Sequence, residues 1–382
     1  MKTDPLSRRG FAGVLGAAIG ATLLEGLAAA AKPGASPAQA RPEPAGPVRL
    51  SANENPYGPS EKARRAIERS AGFGHRYPDG LAESLKNAIA SQHAVRPGQV
   101  VLGCGSSQIL QMADSAYLGP GRKVIAAEPT FEAVLAYAAV MHAEPVKVAQ
   151  TADFRHDLAK MASACDERTG LVYVCNPNNP TGTIVSGDEL EAFLSRVPST
   201  ATVLVDEAYH HFVEDGRYRT AVDMLPRHPN LVVARTFSKI YGLAGMRLGY
   251  AVASPAAASA LNAFASWDNV NAAVLSAGIA NLGESGLVAQ RRKALNDTRR
   301  WLCAELERDG RRYIPSHANF VMIDVHGDVA PVIRAFGERN IEVGRKFPSM
   351  PNWLRISIGR PEEMKAFVAG LRAIVPAKEK AA

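Results

Sequence analysis

Short apolar runs rich in β-branched residues alternate with longer amphipathic segments through the middle of the chain. We predict seven strands from these runs, at 100–102, 123–126, 145–148, 171–175, 202–205, 231–234 and 249–253. Helical periodicity predicts helices between them, at 107–117, 131–141, 187–195 and 255–264. Such alternation predicts an α/β fold with a mostly parallel sheet and helices on both faces.

The C-terminal quarter has a different pattern. A long charged helix is predicted at 286–309, then a strand at 313–323, a helix at 327–339, a strand at 352–358 and a closing helix at 361–374. This order predicts a small α+β domain, and 382 residues with 47% hydrophobic content can fill two cores. We expect a signal and linker at 1–40, an N-terminal arm at 41–75, a large domain at 76–280 and a small domain at 281–382.

The N-terminus resembles an export signal. Ser7-Arg8-Arg9-Gly10-Phe11 is a twin-arginine pattern, and an Ala- and Gly-rich apolar run with small-residue cleavage sites follows it. A membrane anchor is the alternative, but the run is only weakly apolar, and its one charged residue, Glu25, would be costly in a bilayer. We therefore expect a cleaved signal and a periplasmic or exported protein, with no other membrane association.

Charge and cysteine usage exclude some classes of protein. The net charge of +7 is spread rather than gathered into a basic stripe with aromatics, so nucleic-acid binding is not expected. The four cysteines, Cys104, Cys165, Cys175 and Cys303, form no CxxC pair and indicate no metal site. Cys104 and Cys175 lie in apolar, strand-like surroundings, and we predict buried thiols rather than a disulfide; the spacing alone leaves a disulfide open in an exported protein.

The segment RTFSKIYGLAGMRLGY at 235–250 carries the strongest chemical signal. Lys239 lies between the hydroxyl of Ser238 and the guanidinium of Arg247, with glycines around it. A lysine that forms a Schiff base with an aldehyde cofactor needs such a setting, because the neighbouring groups can hold a phosphate. A solvated loop lysine is the alternative, which the other motifs disfavour.

Two further segments follow predicted strands. Ser106 and Ser107, in GCGSSQ at 103–108, open a helix, where backbone amides and hydroxyls form an anion site; a simple helix cap is the alternative. Phe131 follows the next strand, where it either stacks on a flat ring or packs in the core.

Polar residues end two apolar strands. Asn179, in the turn CNPNNPTG at 175–182, points from the carboxyl end of its strand, where α/β sheets bind ligands. Asp206 ends VLVD, and a buried carboxylate needs a cationic partner such as a protonated pyridine nitrogen. A helix N-cap is the alternative for Asp206. Tyr209 is placed to hydrogen-bond a phenolic oxygen.

A single arginine interrupts an apolar strand near the C-terminus. Arg355 lies in WLRISIG at 353–359, and a cation flanked by Leu and Ile must meet an anion. The planar guanidinium matches a carboxylate. A structural ion pair is the alternative.

These motifs in this order resemble the fold-type I pyridoxal-phosphate aminotransferases, over about residues 50–371. The segments LSANENPYGP at 50–59, RYPD at 76–79 and NNPTG at 178–182 are similar to the histidinol-phosphate aminotransferase subfamily. The resemblance implies pyridoxal 5'-phosphate as cofactor, a seven-stranded, mostly parallel sheet between helices in a large domain, a small α+β domain, and a homodimer.

The resemblance also implies cofactor roles. Lys239 would carry the Schiff base and move the proton, and Asp206 would pair with the pyridine nitrogen. Asn179 and Tyr209 would hold the ring hydroxyl, and Phe131 would stack where the family commonly has Tyr. The phosphate would be held by Ser106, Ser107, Thr236, Ser238, Arg247 and, from the partner subunit, Tyr77.

On the substrate side, Arg355 would bind the α-carboxylate, and Asn53 and Tyr57 would line the pocket. The implied reaction moves an amino group between an L-amino acid, or L-histidinol phosphate, and a 2-oxo acid such as 2-oxoglutarate in ping-pong fashion. The segment IEVGRKFP at 341–348 departs from the subfamily, and Arg345 or Lys346 could meet an acidic or phosphorylated side chain or be solvated. An export signal does not fit a biosynthetic role on cytoplasmic histidinol phosphate.

Other functions compete with amino transfer. A decarboxylase of a phosphorylated amino acid would use the same cofactor residues. A cofactor-binding regulator would need a DNA-binding domain, and a non-catalytic binding protein would be expected to lack Lys239 or Asp206.

Overall fold

The computed structural model describes residues 46–376, so the predicted signal and linker lie outside the described residues. The strands are β1 Val48–Leu50, β2 Val100–Gly103, β3 Lys123–Glu128, β4 Glu144–Ala149, β5 Thr169–Cys175, β6 Thr202–Asp206, β7 Leu231–Thr236, β8 Gly249–Ala253, β9 Tyr313–Ile314, β10 Phe320–Asp324, β11 Ile341–Val343 and β12 Trp353–Ser357. The helices are α1 Glu61–Ser70, α2 Asp79–Gln92, α3 Ser106–Tyr117, α4 Ala133–Val140, α5 Leu158–Ser163, α6 Gly187–Leu194, α7 Pro255–Asn262, α8 Ala272–Leu282, α9 Leu287–Arg308, α10 Val329–Gly337 and α11 Pro361–Ile374.

The main sheet has seven strands in the order β2-β8-β7-β6-β5-β3-β4. The five strands from β7 to β4 pair in parallel, and β8 is antiparallel to both of its neighbours. All seven predicted strands are present, which confirms the mostly parallel α/β sheet.

The central strands are buried over their whole length, because helices cover both faces of a parallel sheet. Along β5 and β6 the side chains alternate between two cores. Val174 and Val205 belong to one core, and Tyr173 and Leu204 to the other. Residues at the carboxyl ends of these strands therefore project from a rigid platform.

The C-terminal part contains an antiparallel sheet in the order β12-β10-β9, with Met322 opposite Arg355, and β11 pairs in parallel with β1. The single strand predicted at 313–323 was wrong: β9 and β10 are separate antiparallel strands. Pro315 follows β9 directly and lacks the N–H that would continue the pairing. The domain boundaries at 75/76 and 280/281 stay predictions.

Several elements were not predicted from the sequence, namely β1, β11, α1, α2, α5 and α8. Helix α1 begins at a Ser60 cap whose hydroxyl accepts a hydrogen bond from the backbone N–H of Ala63. Within 46–376 no single helix is long and apolar enough to cross a membrane, although α8 and α9, bent by 86° at their junction, pass that test as a pair.

Candidate active site

A cavity of about 330 Å³ lies at the carboxyl ends of β5, β6 and β7. Twelve of the residues to which the sequence assigned a cofactor or substrate role line it: Asn53, Ser106, Ser107, Phe131, Asn179, Asp206, Tyr209, Thr236, Ser238, Lys239, Arg247 and Arg355. The chain thus brings together in one place residues that lie up to 302 positions apart, from 53 to 355.

Lys239 lies in the loop that follows β7. Its Nζ donates a hydrogen bond to the backbone carbonyl of Ala52 at 3.1 Å and lies 5.7 Å from the ring centroid of Tyr209. Burial, and then the positive charge of Arg355, lower the pKa of Lys239 to about 8. A lysine with this pKa has a much larger neutral, nucleophilic fraction near pH 7.5 than a solvated one.

Asp206 ends β6 and is only 3% exposed. Its Oδ2 accepts a hydrogen bond from the Tyr173 hydroxyl at 2.9 Å, and its Oδ1 accepts one from the backbone N–H of Ala208 at 3.0 Å. Burial raises the pKa of Asp206 to about 6, and the Tyr173 hydrogen bond opposes that rise. No α-helix begins at Asp206, so the cap alternative does not hold.

The start of α3 forms the floor of an anion site with Ser106 and Ser107. Gly105 precedes them with φ +76°, and a Cβ at this position would collide with the Arg247 guanidinium. Arg247 in turn donates to Ser238 Oγ at 3.4 Å. Helix N–H groups, hydroxyls and a guanidinium converge here, which is the chemistry that binds a phosphate.

Thr236 completes this cradle. Its hydroxyl donates to Ser238 Oγ at 2.9 Å and accepts a hydrogen bond from the Ser238 backbone N–H at 3.0 Å. The turn between β7 and Lys239 is therefore fixed by its own side chains. A pyridoxal phosphate fits this donor set, with an amine, a buried carboxylate and an anion cradle around one cavity.

Arg355 projects from β12 and is 8% exposed. Its Nη1 donates to Asn179 Oδ1 at 2.7 Å and its Nη2 to the Ser51 carbonyl at 2.7 Å, while its Nε is buried with no partner among residues 46–376. Because these partners are neutral, the structural ion-pair alternative does not hold within the described residues. Burial lowers the pKa of Arg355.

Asn53 and Tyr209 lie side by side in the cavity wall. Asn53 Nδ2 donates to Tyr209 Oη at 3.1 Å, and the Asn53 backbone N–H donates to Ser357 Oγ at 2.8 Å. Burial raises the pKa of Tyr209, so its hydroxyl stays protonated and can donate a hydrogen bond.

Phe131 is half-buried: it lines the cavity and packs against the core that contains Tyr173. Its stacking on a cofactor ring stays a prediction. Tyr57 and Tyr77 are outside the cavity wall. The guanidinium groups of Arg291 and Arg360 lie 5.1 Å and 5.6 Å from the ring centroid of Tyr57, and Tyr77 is 81% exposed. Their roles stay predictions.

Sequence reasoning missed several neighbours of the cavity. Glu54 and Cys175 line it. Arg345, one of the two cations considered from the sequence, also lines the cavity, and its side chain pairs with Glu132 at 2.6 Å. Cys175 is buried as predicted, but the prediction for Cys104 was wrong: it is exposed because it lies in the turn between β2 and α3 rather than in the strand.

Sequence reasoning also missed a buried ion pair, which lies on the face of the sheet opposite to Asp206. Arg235 Nη2 lies 2.8 Å from Glu207 Oε2, and the Glu207 Oε1 accepts from the Ala221 backbone N–H at 2.6 Å. The two residues adjoin Asp206 and Thr236 in sequence. Two signals were available in the sequence: Glu207 directly follows Asp206, and Arg235 interrupts an apolar strand.

Comparison with known proteins agrees with this geometry. The family "Aminotransferase class I and II" matches residues 45–371. Histidinol-phosphate aminotransferase 2 of Pseudomonas aeruginosa is 41% identical over 338 residues, which are 87% of this chain and 90% of that protein. Histidinol-phosphate aminotransferase of Moorella thermoacetica is 38% identical over 331 residues, 86% and 85% of the two chains.

A solved structure shows the same fold with cofactor bound. The histidinol-phosphate aminotransferase of Sinorhizobium meliloti, in complex with pyridoxal-5'-phosphate, matches with a TM-score of 0.81 and 26% identity, over 86% of this chain and 90% of that one.

Fold and site together define a fold-type I pyridoxal-phosphate enzyme. The chain belongs to the class I and II aminotransferases and is a pyridoxal-phosphate-dependent aminotransferase. These comparisons give no support to the decarboxylase alternative.

Proposed function

We propose that Lys239, Asp206 and the anion cradle hold pyridoxal phosphate and carry the transamination. When bound, this cofactor supplies an aldehyde that captures the amino group and a ring that accepts electrons from the substrate carbon. The observation that carries the proposal is the convergence of the Lys239 amine and the buried Asp206 carboxylate on one cavity with the Arg247 cradle.

Each residue then has a definite task. Lys239 would take and return the proton as general base and acid. Asp206 keeps a negative charge beside the ring nitrogen. Asn179 and Tyr209 present an amide and a hydroxyl to the ring oxygen, and Arg355 binds a substrate anion through its planar guanidinium.

We propose that the amino donor is L-histidinol phosphate or an aromatic L-amino acid, with 2-oxoglutarate or another 2-oxo acid as acceptor. The relatives with this name support the first donor. A second support is the pair of guanidinium groups near the ring of Phe347, with Arg345 at 4.3 Å and Arg355 at 5.3 Å from its centroid. Two cations beside one aromatic ring suit substrates with an anion and an apolar or aromatic part.

Steady-state rates with L-histidinol phosphate, L-phenylalanine and L-histidine test this donor assignment. We expect one of the first two donors to exceed L-histidine in kcat/KM. Arg345→Ala should lower kcat/KM for a phosphorylated donor about tenfold, the scale of one charge-assisted contact. Lys346→Ala is the matched control, because Lys346 pairs with Asp328 at 2.9 Å and does not line the cavity. Equal effects of the two variants would contradict a phosphorylated donor held by Arg345, and no preference for either of the first two donors over L-histidine would contradict the whole assignment.

We propose a homodimer in which Tyr77 reaches the phosphate of the partner subunit. Support comes from exposed aromatic side chains, with Tyr77 81%, Trp267 96% and Phe264 52% exposed in the single chain. Tyr77→Ala chains and Lys239→Ala chains should each be impaired alone, and mixing them should restore activity, because one site of each mixed dimer then holds both native residues. Mixed dimers without activity would refute the shared site.

We also propose export through the twin-arginine route, on the strength of the Ser7 to Phe11 motif. Fractionation of cells that express the full chain should place a shortened protein outside the cytoplasm. Changing Arg8 and Arg9 together to Lys should retain the full-length protein in the cytoplasm. An unprocessed cytoplasmic wild-type chain would contradict this localisation.

A further inference from the structure

Tyr173 touches the buried carboxylate from the neighbouring strand. Strands β5 and β6 are parallel, with Cys175 opposite Asp206 and Tyr173 opposite Leu204. Side chains two positions apart on a strand share a face. Tyr173 and Asp206 therefore project to the same face, and the tyrosine hydroxyl donates to Asp206 Oδ2 over 2.9 Å.

This contact is one of two hydrogen bonds that the protein donates to the Asp206 carboxylate. The backbone N–H of Ala208 binds Oδ1, and the Tyr173 hydroxyl is the one side-chain donor to Asp206 within residues 46–376. Each carboxylate oxygen still has a free lone pair for a further donor. Two donors on different oxygens fix the rotation of the carboxyl group, and hydrogen bonds to the charged form favour it over the neutral acid.

The tyrosine ring alone does not explain the hydroxyl. Tyr173 is 0% exposed and packs in the core on this face of the sheet, a place that phenylalanine would fill equally well. A hydroxyl in such a core costs free energy unless it is paired. Its partner here is the carboxylate of the site, so the hydroxyl acts on the site rather than on the packing.

We propose that Tyr173 is a positioning residue for the amino transfer: its hydroxyl holds the Asp206 carboxylate charged and aimed at the nitrogen of the cofactor ring. This inference rests on the proposed role of Asp206. Tyr173 itself does not line the cavity and acts only through Asp206.

Binding of the cofactor and of one cofactor analogue to the apoenzyme tests the proposal. One is pyridoxal phosphate, and the other is its 1-deaza analogue, in which carbon replaces the ring nitrogen and no proton can be shared with Asp206. Wild-type protein should bind pyridoxal phosphate more tightly. Tyr173→Phe should lose about tenfold in affinity for pyridoxal phosphate and nothing for the deaza analogue, as expected for one hydrogen bond to a charged group.

Two further variants separate this role from a structural one. Tyr250→Phe is the matched control. It removes a buried hydroxyl on strand β8, which is hydrogen-bonded to His93 at 3.0 Å, and it should change the affinity for neither compound. In an Asp206→Asn background, Tyr173→Phe should have no additional effect on the affinity for pyridoxal phosphate.

Equal losses for both compounds in Tyr173→Phe would overturn the proposal, since the hydroxyl would then support only the fold. Equal affinity of the wild-type protein for both compounds has a different meaning. It would remove the assigned role of Asp206, and the inference about Tyr173 with it, while leaving the Lys239 assignment untouched.

Discussion

Arg355 donates a 2.7 Å hydrogen bond to Asn179, so the residue predicted to bind the substrate anion is held by the residue predicted to bind the cofactor ring. The contact joins β12 to the turn after β5. We therefore expect substrate binding and cofactor orientation to be coupled through this pair of side chains.

Replacing Arg355 by Lys tests its predicted role in binding the substrate anion. Lysine keeps the charge but loses the planar fork, so we expect KM for the amino donor to rise and kcat/KM to fall about 100-fold. Steady-state kinetics measure both, and Arg372→Lys is the control because its ion pair with Asp309 lies on the surface. An unchanged KM in Arg355→Lys would contradict the anion-binding role.

Gly105→Ala tests the phosphate cradle. The residue has φ +76°, and the new Cβ would strike the Arg247 guanidinium, so that side chain must move. We expect affinity for pyridoxal phosphate to fall at least about tenfold, the scale of one lost charge-assisted hydrogen bond. Fluorescence titration of the apoenzyme measures the loss. Gly98→Ala, with open space around its Cβ, is the control, and equal affinities in the two variants would exclude the cradle.

The ion pair of Glu207 and Arg235 should matter for stability. Both side chains are almost fully buried, at 1% and 3% exposed, so Glu207→Gln leaves an uncompensated buried cation. We expect the free energy of unfolding to fall by about 3–5 kcal/mol. Urea denaturation measures this change. Glu214→Gln removes an exposed partner of Arg300 and should cost less than about 1 kcal/mol.

Asp114 should make stability depend on pH. It is 0% exposed, neither carboxyl oxygen has a partner within residues 46–376, and burial raises its pKa to about 8. Between about pH 4 and pH 8 the folded state keeps this proton and the unfolded state has lost it, so its contribution to stability falls as pH rises.

Urea midpoints at several pH values check this sign. Asp114→Asn should remove a slope of at most about 1.4 kcal/mol per pH unit, the value for one proton. Asp188→Asn, with a side chain 94% exposed, should leave the slope unchanged. A wild-type slope that persists in Asp114→Asn would show that other groups cause it.

Most of the sheet and most of the cavity wall could be predicted from the sequence. The strands from β2 to β8 are short apolar runs with clear ends, and the polar residues at those ends lie together because parallel strands end at one edge. Asp206 and Lys239 could be recognised since each stands in a distinctive local context.

Long-range contacts could not be predicted in this way. The pairing of β1 with β11 joins segments about 290 residues apart, and neither run is long enough to signal a strand. Tyr173 looked like an ordinary strand residue, because only the register of β5 on β6 brings its hydroxyl to Asp206. Cys104 lies one residue beyond the end of β2, and this single position makes it exposed instead of buried as predicted.

The absorbance of the purified mature protein with bound pyridoxal phosphate tests the central claim, amino transfer at Lys239, most directly. Addition of L-histidinol phosphate or an aromatic amino acid should bleach the pyridoxal band to that of pyridoxamine phosphate, and 2-oxoglutarate should restore it. Lys239→Ala should show neither change. A cycle that runs unimpaired in Lys239→Ala, or a wild-type band that no amino donor bleaches, would contradict the account.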